Sequence, residues 1–495
     1  MRPRNQALRT GNLLTYFEPG KRARNWSLLF LVSGTADIQP LTDIETVCRK
    51  HIEQSSLESF EWNPLPDQGQ LAEVDPLLDA SRLMRLEVSE LAGLDRSDLE
   101  NLLGPALDRL AGGEAELFPA AGGAVGAPAE GIQFLGRSTE LVDLARRIRS
   151  GENLLLLAPR RSGKTSLLRR LERDLAADCS PIYVNLERDL SPADTAARFW
   201  VLATGERYRP AQRRVEEQGW EQILTDSLRS LAESRSLPLV VLLDELVFFF
   251  QNLRKGTDED LHQKAVLSFL GILAEALKGV GACFVVAGSL DFLEYLQESV
   301  GLDLQRVPPL FRGLQPYPLP PLALDSPSLE MRRVLLGTGI VPEPGDLDWL
   351  VENVDLSVPY PALRFLDQLA SRLRAEGRIG RQGLEALLDQ FLDETEAFDE
   401  FEEHLARKGA YMPGARWAAS EALDLIAERP AEEGVLERWI KERFERGVPG
   451  QGDRLFNWLL ETFPLRRQDG DRVVFASRLF RHWWRRQLAE TGARR

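Results

Sequence analysis

The chain has 495 residues, enough for roughly three to five domains, which excludes a single small module. Hydrophobic residues make up 43% and charged residues 28%, too apolar a mixture for a disordered chain. With 76 acidic against 61 basic side chains and a net charge of −15, the molecule is no general binder of polyanions, and any contact with DNA has to be local.

The start, MRPRNQALRTGNLLTYF, lacks the apolar core of a signal peptide, and no apolar run reaches the ~18–20 residues of a membrane span. A cytoplasmic location without a membrane partner is the expectation. Cys48, Cys179 and Cys283 are too scattered for a disulfide framework or a zinc ligand set, and the four histidines are equally dispersed. Residues 1–110 open with a basic arm (Arg2, Arg4, Arg9, Lys21, Arg22, Arg24). An apolar run at 27–32, a helical pattern at 43–54, a strand-like stretch at 83–88 and a second helical pattern at 97–110 follow. This is a small α/β or α+β module with no catalytic constellation. Residues 111–131, AGGEAELFPAAGGAVGAPAEG, crowd Gly, Ala and Pro together and read as a linker.

From 132 to 325 apolar strand-like runs (153–157, 181–186, 239–243, 282–287) alternate with helical patterns, which predicts a parallel α/β sheet. Directly after the first run comes Ala158-Pro159-Arg160-Arg161-Ser162-Gly163-Lys164-Thr165-Ser166, a phosphate-binding loop with its first glycine replaced. A tight turn at a helix N-terminus aims backbone N–H groups and the helix dipole at a phosphate. Lys164 would reach the β/γ-phosphates of ATP, and the Thr165 hydroxyl would ligate Mg²⁺. The run Val240-Val241-Leu242-Leu243-Asp244-Glu245 puts two carboxylates at the end of a buried strand. Asp244 would hold the metal there, and Glu245 would either polarise the attacking water or cap the next helix. Ser289, after the strand ending Ala287-Gly288, either faces the γ-phosphate or caps a helix. Three consecutive phenylalanines, Phe248 to Phe250, point in different directions on a helix, so at least one should face a lid, a partner or another subunit.

Taken in order, Phe134-Leu135-Gly136-Arg137-Ser138-Thr139-Glu140-Leu141, the PRRSGKTS loop, the LLDE strand and the AGS strand end resemble the AAA+ and STAND branch of P-loop ATPases. The likeness is to prokaryotic members similar to origin-recognition initiators and archaeal-type ATPases, and it covers roughly residues 132–495. It implies that Gly136 and Arg137 lie near the adenine and that Pro159 through Ser166 wrap the phosphates. It also implies a helical lid, here 326–410, whose Pro359 turn touches the base and whose Arg364 reaches toward the γ-phosphate. Arg306 and Arg312, before the last predicted core strand at 315–322, occupy the region where such assemblies place an arginine finger. The favoured reading of either is an ordinary surface arginine or a salt-bridge partner.

Residues 411–495 order three helices, a short hairpin turned at Asp469-Gly470 and a final helix, the pattern of a winged helix-turn-helix. Its last 31 residues hold nine arginines against three acids, which suits phosphate contacts. Its third helix, 452–463, offers few groups for reading base edges. The expected architecture is therefore a P-loop parallel-sheet core with helical lid and winged helix, preceded by the small N-terminal module. The expected function is a Mg-ATP-driven switch in signalling or defence, assembling as a homo-oligomer or meeting a partner protein through residues 1–110. The alternative is a DNA-associated initiator or loader gripping duplex backbone weakly and without sequence preference.

Overall fold

The computed structural model describes residues 8–16, 27–33, 46–47, 50, 60–65, 83–87, 94–111, 118–124, 127–158, 161–254, 258–288, 296, 301, 305–340, 345–376, 379–444, 451–468 and 472–493. Among them no helix is long and apolar enough to cross a membrane. Contacts group the chain into two compact units: Met1–Leu135 with Leu324–Leu356 and Tyr360–Glu394, and Gly136–Ala323 with Ser357–Pro359 and Thr395–Arg495. The helical segment expected as a lid over 326–410 thus contributes to both.

In the first unit, β1 (Leu8–Tyr16), β2 (Ser27–Ser33), β3 (Phe60–Leu65) and β4 (Leu83–Glu87) form one sheet in the order β3-β1-β2-β4. β1 runs antiparallel to both β2 and β3, and β2 pairs in parallel with β4. Arg9, expected in a basic arm, lies in β1; the helix expected at 43–54 falls mostly outside the described residues. The helix Arg96–Ala111 buries Leu99, Leu102, Leu103, Ala106 and Leu107, a spacing that gathers apolar groups on one face.

Residues 118–121 of the expected linker are docked. Phe118 and Ala121 are buried, and the Ala121 N–H donates to Thr338 Oγ1 at 2.8 Å. Small residues serve close approach here as well as flexibility: a Cβ on Gly337 would stand 2.1 Å from the Pro119 carbonyl oxygen. The helices Pro327–Thr338, Asp346–Asn353, Pro359–Glu376 (from Tyr360 on) and Arg381–Asp393 complete this unit, with Phe365 edge-on to Phe391 at 5.6 Å.

The second unit is built on five parallel strands: β5 (Leu154–Leu157), β6 (Ser180–Asn185), β7 (Leu239–Asp244), β8 (Cys283–Gly288) and β9 (Gln315–Pro318), in the order β6-β7-β8-β5-β9. Every residue of β5 and β7 is buried, as parallel strands covered on both faces require. β9 stops short of the expected Leu322. Leu319 N still donates to Leu157 O at 2.7 Å, but Pro320 and Pro321 have no N–H to extend the ladder. The helices Pro192–Thr204, Tyr208–Gln218 and Trp220–Glu233 fill the connection between β6 and β7. Phe249 and Phe250 are fully buried against Phe269, with ring centroids 4.7 and 6.5 Å away, while Phe248 is half-buried. The core of this unit therefore absorbs two of the three phenylalanines, of which at least one was expected to face a lid, a partner or another subunit.

Its C-terminal module has helices Asp399–Tyr411, Ala415–Glu428, Glu433–Phe444 and Gln451–Thr462, a small sheet of β10 (Ala431–Glu432), β11 (Leu465–Gln468) and β12 (Arg472–Phe475), and a final helix Arg478–Ala493. The hairpin forms as the sequence predicts, with Asp469 and Gly470 outside the described residues. Its core is aromatic: Phe398 stacks on Trp483 at 4.8 Å, and Phe401 meets Phe480 at 4.6 Å.

Gly337→Ala should destabilise the chain by about 1–3 kcal/mol, the usual cost of overpacking, because the obstruction at Pro119 is backbone. Urea unfolding followed by circular dichroism checks this; an unchanged midpoint would contradict the close approach.

Candidate active site

The β5 strand delivers the chain to Ala158 at the carboxyl edge of the sheet, where ligands of open α/β folds bind. Pro159, Arg160 and Ser289 lie outside the described residues. Beyond them Arg161 (φ 61°) and Gly163 (φ 93°) turn through the left-handed region into the helix Lys164–Leu175. At Gly163 glycine takes that backbone without strain, and nothing lies within 4 Å of where a Cβ would project. The helix N-terminus thus opens onto clear space, as an anion cradle needs. Lys164 is buried and its Nζ donates to the Ala158 carbonyl at 2.8 Å, closing the loop on itself. Ser166, also buried, faces inward on the same first turn.

Across the cradle stands Asp244, fully buried at the end of β7. Its Oδ2 accepts from Thr165 Oγ1 at 2.7 Å and from the Tyr183 hydroxyl at 2.8 Å. Its Oδ1 has no hydrogen-bond partner among the described residues. A buried carboxylate oxygen left unpaired is costly, and a hard divalent cation is what an all-oxygen donor set with an open lone pair accommodates. The residues present therefore fit Mg²⁺, with Thr165 and Asp244 as the protein's contribution.

Tyr183 was not foreseen. Burial, and then the neighbouring Asp244 charge, pushes its phenol well above the ordinary value, so it stays an O–H donor. The only sequence signal is a hydroxyl-bearing residue between the apolar Ile182 and Val184 of β6. Glu245 follows Asp244 at φ 60°. That is a sparsely populated conformation for a residue with a side chain, and such strain concentrates at functional sites. Its carbonyl accepts from Phe249 N at 3.2 Å, so its backbone starts the next helix.

Gly136 (φ 59°) and Arg137 (φ 64°) make a left-handed turn ahead of the helix Ser138–Arg149. The buried Arg137 guanidinium donates to Glu140 Oε1 at 2.8 Å, to the Pro320 carbonyl at 2.6 Å and to the Ser162 carbonyl at 3.4 Å. Burial pulls its pKa down, opposed by Glu140. One side chain thus ties the Gly-Arg turn, the phosphate loop and the β9 exit together. Beside it opens a small recess with a cavity volume of about 30 Å³, partly facing solvent. Arg137, Ser162 and Pro359 line it with Phe401, Phe463 and Pro464 of the C-terminal module. No local pattern marked Phe401 and Phe463, because they reach the phosphate loop only through the tertiary fold. The Leu322 N–H donates to Ser357 O at 2.8 Å and fixes the turn before Pro359.

Arg306 and Arg312 are exposed, Arg312 at the end of the short helix Pro309–Arg312. Arg364 belongs to the first unit, where it donates to the Tyr360 hydroxyl at 3.3 Å. On the C-terminal module, Arg467 forms a two-pronged pair with Glu433 at 2.5 and 2.8 Å. Arg481 and Arg485 both donate to the Ala427 carbonyl, at 3.0 and 3.1 Å.

A parallel sheet ordered β6-β7-β8-β5-β9, a phosphate loop after β5 and an acidic pair after β7 make up the fold of a P-loop nucleotide-binding core. Three solved structures are similar to the chain. A Walker-type ATPase of Pyrococcus abyssi is 16% identical, over 72% of this chain and 97% of that one, with a TM-score of 0.46. The ORC1 protein of Aeropyrum pernix in complex with DNA is 17% identical, over 72% and 93%, with a TM-score of 0.35. The RuvB Holliday junction branch migration motor of Thermotoga maritima is 14% identical, over 68% and 91%, with a TM-score of 0.31. Likenesses this distant carry no assignment of substrate or partner. No protein-family profile matches the chain, and no curated protein matches it.

Arg137→Ala should cost about 1–3 kcal/mol of stability, since it leaves the partly buried Glu140 carboxylate without its partner and opens the loop at Ser162. Denaturant unfolding measures it; a loss below about 1 kcal/mol, the range of a surface pair, would mean the staple is not a structural one.

Proposed function

We propose that this chain binds and hydrolyses Mg-ATP and works as a switch of the AAA+/STAND type, coupling nucleotide state to the placement of its C-terminal module in signalling or defence. The observation that carries the reading is the recess itself. Phosphate-loop Ser162, the Arg137 turn and Pro359 share one wall with Phe401, Phe463 and Pro464, so a ligand there touches the catalytic core and the C-terminal helices at once. Its proline and phenylalanine walls suit the flat apolar face of a nucleobase. Gly136, Arg137 and Pro359 would then face the base, while Pro159, Arg160, Arg161, Ser162, Gly163 and Ser166 would surround the phosphates.

Lys164 leaves the Ala158 carbonyl for the β/γ-phosphates as these arrive. Mg²⁺, held by Thr165 and Asp244, supplies charge neutralisation at the phosphates. Glu245 accepts a proton from the attacking water, with Ser289 near the γ-phosphate. In an oligomer the exposed Arg312, or Arg306, is available to a neighbouring subunit's γ-phosphate. Residues 1–110 serve as the sensor or partner-binding module, and the cytoplasm is the compartment. The 411–495 segment acts as a winged helix whose readout is protein placement. Weak backbone contact with DNA is the second reading, and the exposure of Arg466 and Arg472 favours it.

Lys164→Ala should abolish nucleotide binding, measured by titration with a fluorescent ATP analogue; retained affinity and turnover would overturn the site. Glu245→Gln should bind ATP as the wild type does and lose about 10²–10⁴-fold in turnover. Hydrolysis at the wild-type rate in that variant would return Glu245 to a helix-starting role. Gel-shift assays with duplex DNA at low salt, with Arg466→Ala and Arg472→Ala combined, separate the two readings. Tight, sequence-specific binding that survives both changes would favour the initiator.

A further inference from the structure

Asp244 Oδ2 accepts two hydroxyl donors, and only one of them comes from the phosphate-loop helix. The other, Tyr183, lies on β6, where its register partner is Leu242 and that of Asn185 is Asp244. Its hydroxyl therefore reaches along the sheet toward the end of the neighbouring strand. The ring is held in place from the loop helix. Arg169 lies over it with the guanidinium carbon 3.7 Å from the ring centroid. Arg169 donates to Glu172 Oε2 at 3.0 Å, and Glu172 Oε1 accepts the Tyr183 backbone N–H at 3.3 Å. Thr165, Arg169 and Glu172 stand at i, i+4 and i+7, one face of the helix Lys164–Leu175. That face presents a metal-side hydroxyl, a stacking cation and its acid in succession to β6.

We propose that Tyr183, clamped by Arg169 and Glu172, is a positioning residue that fixes the Asp244 carboxylate so that Oδ1 alone is left for the divalent cation. The proposal rests on the Mg-ATP reading of the site. A carboxylate with one donor can rotate about its terminal torsion, which is broad and roughly two-fold. Two donors converging on the same oxygen remove that freedom before the cation arrives. Thr165 cannot do this alone, because its hydroxyl oxygen is also to face the metal. Hydrogen-bond partners behind a ligand of this kind change metal affinity by about 10–100-fold when removed.

The test uses the full-length chain and a fluorescent ADP analogue, titrated with MgCl₂ and, separately, in EDTA. For Tyr183→Phe the Mg²⁺ concentration giving half the metal-dependent rise in affinity should increase about tenfold, while the affinity in EDTA stays within about twofold of wild type, since the phenol touches no nucleotide atom. Arg169→Gln, which removes the ring clamp and leaves the hydroxyl, should shift the same midpoint in the same direction by about threefold, and it decides the matter if Tyr183→Phe does not fold. An unmoved Mg²⁺ midpoint, or an equal loss with and without metal, would overturn the proposal. Wild-type protein that binds the analogue with no dependence on Mg²⁺ would overturn the metal-site reading beneath it, and this proposal with it.

Discussion

The second unit is organised around one buried carboxylate. Asp244 is inaccessible to solvent, yet it closes a strand whose other residues are aliphatic. Burying a charge without partners is prohibitive, so the surrounding chain has to bring donors to it. Thr165, at the start of the phosphate-loop helix, and Tyr183, on the adjacent strand, do so from opposite sides. That pairing sets the distance between the loop and β7, and with it the width of the cradle. The oxygen left unpaired is then a local cost of ~1–3 kcal/mol, carried where a cation can relieve it. Stability and function are in tension at this one residue, as expected of a binding site that forms before its ligand arrives.

A second constraint acts through Arg137. Guanidinium groups are costly to bury, and this one is satisfied by one carboxylate and two peptide carbonyls on three separate segments. Its planar donors suit such divergent acceptors better than a lysine ammonium would. Both Arg137 and Glu245 take left-handed backbone conformations, and both lie where the chain leaves a regular element for the site. The strain is local, and the hydrogen bonds and helix starts around it hold it in place.

What the sequence made legible follows from how locally each feature is determined. The β5, β7 and β8 strands and the phosphate loop were readable because apolar runs, Gly163 and the Asp244-Glu245 pair are contiguous signals. The end of β9 was overestimated: apolar character continues to Leu322, and only the absence of N–H groups at Pro320 and Pro321 stops the ladder. β1 and β3 were missed because charged and polar residues such as Arg9, Glu61 and Asn63 dilute the alternation that marks a strand. The stretch 118–124 read as linker because Gly and Ala lower hydrophobicity, whereas in the fold the same small residues let backbones touch at Gly337. Tyr183, Phe401 and Phe463 were invisible for another reason, since their roles exist only once distant segments meet.

The C-terminal arginines show why a charge count is a weak guide to a binding surface. Nine arginines crowd the last 31 residues, but the fold employs several of them. Arg467 lowers the Glu433 carboxyl's pKa through their two-pronged bond, and that acid begins the helix Glu433–Phe444. Arg481 and Arg485 converge on the Ala427 carbonyl, one of the acceptors that the end of the helix Ala415–Glu428 leaves without an intrahelical donor. A guanidinium donating to a backbone carbonyl keeps its charge but loses the freedom to follow a phosphate backbone. Arg466 and Arg472 remain as exposed side chains on the paired strands β11 and β12. A counterion-release term scales with the number of phosphates neutralised, and Arg467, Arg481 and Arg485 are already bonded within the fold. A charge count over this segment therefore overstates the cations left to meet a polyanion.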